Sequence, residues 1–224
     1  MQQRDFTKPV QTKGEGLKTY YFLRAGISVI WIALALAIGR SSPPFAAILL
    51  VLYPTWDAIA NAFDAQKNGG FRSNLSQTFN FAISLVMAVW IVYSLGVGMK
   101  PVLVPYGAWA FLAGVFQLAT GVRRWKTAGG QWVMILSGGQ SALVSFHFFQ
   151  KSTAMPAPGI EAVIPYACLG AFYFLLSAIL LTVKDARQRA ANKTFIPDGN
   201  HVPLRLLGSV SAAMLQFRRS RLPP

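Results

Sequence analysis

Cysteine, acid and charge are scarce in this sequence, and each scarcity excludes something. The single cysteine, Cys168, cannot form an internal disulfide, which removes a stapled secreted scaffold. Charged residues make up 12% of the 224 residues. That is about half the share of about 25% usual in soluble domains, and it argues against both a disordered chain and an ordinary soluble globule. No HExxH motif and no Cys/His cluster occurs, so a metal site lacks ligands. No phosphate-loop lysine pattern accompanies the Gly96-x-Gly98 pair.

What remains is apolar and basic. Hydrophobic residues are 54% of the chain, and 21 Lys+Arg against 7 Asp+Glu give a net charge of +14. A basic excess suits nucleic acid or an anionic membrane surface, and the placement of the charges decides between them. The apolar residues fall into six runs near the length of about 20 residues that a helix needs to cross a bilayer. They cover 20–39, 45–63, 79–98, 101–121, 131–149 and 163–183. The second run contains Pro54, Asp57 and Asn61, which would also suit a re-entrant segment.

The connections form a charge ladder. Those after runs one, three and five hold three cations, Arg40, Lys100 and Lys151. The N-tail, the loops after runs two and four and the C-tail hold 17, or 13 when only the C-tail cations near the membrane are counted. The positive-inside rule then predicts both termini in the cytoplasm and six crossings, since an odd number would break the alternation. The charges are thereby assigned to topology, not to nucleic acid. The polar, basic first 19 residues precede a run longer than a signal-peptide core, so the first helix is expected to stay. The expected organisation is an N-tail 1–19, an all-α membrane domain 20–183 and a basic C-tail 184–224.

The odd-numbered runs look alike. Segments 25–31, 81–87 and 138–144 align on Ser28, Ser84 and Ser141, spaced 56 and 57 residues. In the even-numbered runs Tyr53-Pro-Thr-Trp56 matches Tyr106-Gly-Ala-Trp109 and, more loosely, Tyr166-Ala-Cys-Leu169. The pattern predicts three helical hairpins in one orientation. Small residues at helical spacing, Gly107, Ala110, Gly114 and Gly121 in run four and Ser137, Ser141 and Ser145 in run five, predict close helix packing.

Several of these segments resemble a known family. They are Arg24-Ala-Gly-Ile27, Trp56-Asp57-Ala58, Tyr106-Gly-Ala-Trp-Ala-Phe-Leu-Ala-Gly114 followed by Arg123-Arg-Trp-Lys126, and Trp132-Val-Met-Ile-Leu-Ser-Gly138. The chain is similar in them to the HdeD-type bacterial membrane proteins over residues 20–183. The resemblance implies six helices in three repeats, a place in the bacterial inner membrane and an association with acid or envelope stress. It implies no catalytic residue and no cofactor. The longer N-tail and the basic C-tail depart from that family.

Polar residues inside the runs are the candidate site. An ionisable group in a span is costly and usually faces a partner. Asp57 is the one carboxylate well inside a run, with Asn61 and Asp64 on the same helical face. At about 1.5 Å per residue, Asp57 lies roughly 10 Å and Arg24 roughly 7 Å inside the same boundary. Asn80 and Gln117 fall near this level and Gln140 somewhat deeper. Two readings stay open for the cluster: a structural ion pair with amide bonds, or a polar pocket for a proton, ion or solute. Enzyme readings fail on geometry, because Ser137 and Ser141 lie roughly 9–15 Å along the helix axis from His147.

The expected function is therefore a non-enzymatic membrane protein with lipid as its partner. Homo-oligomer formation is left open. The alternative is a small transporter or channel using Asp57. In the C-tail, Leu207, Val210, Met214 and Phe217 share a helical face ahead of Arg218, Arg219 and Arg221. This predicts an amphipathic helix over 203–221 on anionic inner-leaflet lipids.

Overall fold

The computed structural model describes residues 13–123, 125–126 and 131–194. The amphipathic segment expected at 203–221 lies outside the described residues. The chain divides into two units, Met1–Leu181 and Thr182–Pro224. Among the described residues six α-helices follow one another: α1 Lys13–Leu34, α2 Pro43–Lys67, α3 Leu75–Leu95, α4 Met99–Arg123, α5 Gln131–Ser152 and α6 Ile164–Thr194. A π-helical turn, Ala35–Gly39, prolongs α1, and a short 3-10 turn, Ile160–Ala162, precedes α6. No strand occurs among the described residues.

All six helices are long and apolar enough to cross a membrane. Their outward faces agree, because Val29, Ile30, Val86, Val89, Leu143 and Phe146 are exposed. Surface this apolar is stable against lipid and not against water. The chain is an all-α, multi-pass membrane protein. The helices overrun the expected spans at several ends. Residues 13–19 belong to α1, and 184–194 belong to α6. Hydrophobicity marks where lipid starts, whereas a helix ends only where its hydrogen-bond ladder does.

The turns have local causes. Pro43 and Pro44 open α2, where a fixed φ helps and a missing N–H costs nothing. Between α2 and α3, Gly69 and Gly70 take φ of 102° and 90°, a left-handed pair that reverses the chain. The Asn74 amide then donates to the Asn68 and Gly70 carbonyls at 2.8 and 3.0 Å, fastening that turn.

The repeat is visible as burial. With the 56- and 57-residue spacing of the serines, Ala35, Ile91 and Phe148 coincide and are all 0% exposed. Leu50, Tyr106 and Val163 coincide and are also 0% exposed. Further sets, Pro54/Ala110/Ala167 and Ala65/Gly121/Ala178, are buried in every copy. One expectation is corrected here. The partner of Tyr53 in the second hairpin is Trp109, three residues beyond the Tyr106 that the Tyr-x-x-Trp match selects. The spacing from each shared serine says the same. Ser84 accepts from the Trp109 indole at 3.1 Å, 25 residues on, the same separation that links Ser28 to Tyr53 and Ser141 to Tyr166. The letters misled because a buried aromatic ring next to the shared serine can be Tyr or Trp.

Those three aromatic positions converge in the core. Tyr53 and Trp109 have ring centroids 5.6 Å apart, and Trp109 and Tyr166 5.9 Å. Trp31, Tyr106 and Phe148 complete the cluster. Small residues bring α4 and α5 together, as expected. A Cβ on Gly114 would lie 2.6 Å from both the Gly138 carbonyl oxygen and the Ala142 nitrogen. A Cβ on Gly121 would lie 2.9 Å from Ile135.

Candidate functional site

Asp57 is the centre of the polar cluster. Arg24 of α1 makes an ion pair with its Oδ1. Two donors fill Oδ2: the Ser84 hydroxyl of α3 at 2.7 Å and the Asn61 amide, one turn along α2, at 2.9 Å. The same amide donates to the Asp57 backbone carbonyl at 2.8 Å. Ser84 in turn accepts from the Trp109 indole of α4 at 3.1 Å. One carboxylate therefore ties α1, α2 and α3 directly and α4 through a relay. Its side chain is 15% exposed and that of Arg24 11% exposed, so both charges are largely removed from solvent.

Arg24 has further partners. Its Nη1 donates to the Tyr20 hydroxyl at 2.8 Å, one turn back on α1. Its guanidinium lies over the Phe174 ring of α6, 4.2 Å from the centroid. Such stacking is favourable for a partly desolvated cation. The Nε atom is left over. Among the described residues, Arg24 Nε and Trp56 Nε1 are the buried side-chain atoms without a hydrogen-bond partner.

The six residues expected to cluster separate into four groups. Arg24, Asp57 and Asn61 are together. Asn80 is half-buried on α3 and makes no side-chain hydrogen bond to them. Gln117 donates instead to Ser137 at 3.1 Å, bridging α4 and α5. Gln140 accepts from Tyr173, bridging α5 and α6. Equal depth in a membrane did not bring them together, because helices on different sides of a bundle share depth without touching. Sequence reasoning missed Ser84, Trp109, Tyr20 and Phe174 as members. The repeat could have found the first two, since Ser84 was already marked as the shared serine.

His147 is exposed on α5. Among the described residues no three His, Cys, Asp or Glu side chains gather into a metal site. The half-buried Asp57 carboxylate is bound on both oxygens. Comparison with protein-family models, with curated proteins and with solved structures gives no match.

Proposed function

We propose that this chain is a non-enzymatic protein of the bacterial inner membrane, with both termini in the cytoplasm, in which the Arg24–Asp57 centre locks the hairpins together. The saturation of Asp57 carries this reading. A carboxylate that accepts from Arg24, Ser84 and Asn61 is fixed on both oxygens, which suits a structural tie better than a group that must shed its partners to carry a proton. The sequence resemblance to HdeD-type proteins supports the same placement, and a role in acid or envelope stress rests on that resemblance alone.

The transporter alternative has weaker support. Transporters built from repeats break their helices at matching positions. Here Pro54 interrupts α2, but the equivalent positions are Ala110 and Ala167. Pro105 falls opposite Leu49 and Ala162, so the breaks do not match. The test is proton flux in liposomes carrying the pure protein under a pH gradient. No flux above empty liposomes is expected. Flux that disappears in Asp57→Asn would replace the structural reading with the transporter one.

A further inference from the structure

Two seams join consecutive hairpins, α2–α3 and α4–α5, and side chains join α6 of the third hairpin to α1 of the first. The second closes to backbone contact at Gly114 and Gly138. The first buries Ala58 and Ala65, 2% and 0% exposed. The α6–α1 seam is built differently. Gly170 of α6 faces α2, where a Cβ would lie 3.1 Å from the Tyr53 hydroxyl and 4.0 Å from Phe174. Rings join α6 to α1. Tyr21 of α1 stacks on Phe174 with centroids 6.4 Å apart, and the Arg24 guanidinium lies under the same ring.

Two hydrogen-bonding groups sit along this seam. Gly170 and Phe174 are one turn apart on α6, so they share a face. Behind the first is the Tyr53 hydroxyl, and behind the second is Arg24. Arg24 spends Nη1 on Tyr20 and Nη2 on Asp57, and its buried Nε has no acceptor. A guanidinium in an apolar setting favours an acceptor at every N–H. Asp57 already balances its charge, so an uncharged oxygen fits this position better than an anion. The neighbours Phe22, Phe172 and Leu175 are exposed to the lipid side, so a molecule entering here comes from the bilayer.

We propose that the α6–α1 seam binds one glycerolipid through an acyl ester, its carbonyl oxygen accepting from Arg24 Nε once the Phe174 ring turns aside. The acyl chain then lies along the exposed apolar side chains of Phe22, Phe172 and Leu175.

The test is native mass spectrometry of the purified full chain, exchanged into diester phosphatidylglycerol or its diether analogue with the same headgroup and chains. The native protein should retain one diester lipid about tenfold more tightly than the diether, the worth of one carbonyl hydrogen bond. Arg24→Lys keeps a cation beside Asp57 but has no Nε–H, and should lose the ester preference. Phe172→Ser/Leu175→Ser removes the apolar surface along the acyl chain and should weaken retention of both lipids. Where that double variant does not fold, the Arg24→Lys comparison decides. Equal retention of diester and diether by the native protein would overturn the proposal. So would an intact ester preference in Arg24→Lys, or retention of phosphatidylglycerol with none of diester phosphatidylcholine, which would make the headgroup charge the recognised feature.

Discussion

The Tyr106 hydroxyl donates to the Leu50 carbonyl at 2.7 Å, and Leu50 is the residue whose helical partner would have been the missing N–H of Pro54. Trp31 donates from α1 to the neighbouring Leu49 carbonyl at 2.7 Å. A proline inside a membrane helix is tolerated when neighbouring helices satisfy the carbonyl it frees, and here α4 does so across the hairpins. Tyr106→Phe should cost about 1 kcal/mol in detergent unfolding, the scale of one buried hydrogen bond. Pro54→Ala restores the N–H, so the loss from Tyr106→Phe should shrink in that background. Equal losses in both backgrounds would show that the tyrosine acts by packing alone.

The ion pair predicts strong coupling. Arg24→Leu and Asp57→Leu should each destabilise by about 3 kcal/mol or more, because each leaves an unpaired charge among apolar side chains. The double variant should recover much of that loss. Recovery will be incomplete, since Ser84 and Asn61 lose their acceptor as well. Additive losses in a double-mutant cycle would remove the pairing argument.

Close packing between α4 and α5 predicts a sharp contrast between two glycines. Gly114→Ala puts a methyl group 2.6 Å from the α5 backbone and should cost about 1–3 kcal/mol as overpacking. A Cβ on Gly139 meets nothing within 4 Å, so Gly139→Ala should be close to neutral. Thermal unfolding of the two variants in one detergent reads the difference, and similar midpoints would contradict the interface.

Orientation follows from the charge ladder. A reporter fused after Arg221 should be cytoplasmic, and one inserted near Ala157 should lie on the opposite side of the membrane. A cytoplasmic signal at Ala157 would break the alternation on which the orientation rests.

Much of the architecture was legible because lipid imposes a simple rule. A segment that crosses must hydrogen-bond its own backbone and present apolar side chains, and both demands leave marks in one dimension. The six runs, the outward faces of Val29 or Val86 and the spacing of Ser28, Ser84 and Ser141 are of this kind. The pairing of Arg24 with Asp57 was also legible, because a lone intramembrane carboxylate needs a cation at its depth.

Which residues share a site is a different kind of question. Asn80, Gln117 and Gln140 had the right chemistry and depth, yet depth is one coordinate of three, and the angular positions of the helices sent Gln117 to Ser137 and Gln140 to Tyr173. The equivalence of Tyr53 with Trp109 was likewise hidden, because identical letters at Tyr106 outweighed a register that only the matched burial of the three hairpins reveals. The sequence by itself determined that six apolar helices cross the membrane as three hairpins and that Arg24 pairs with Asp57, since hydropathy, spacing and charge balance act along the chain. Only the tertiary structure decided that Ser84 and Trp109 complete that pair's surroundings and that Arg24 Nε is left without an acceptor beside α6, because these depend on how the helices are rotated against one another.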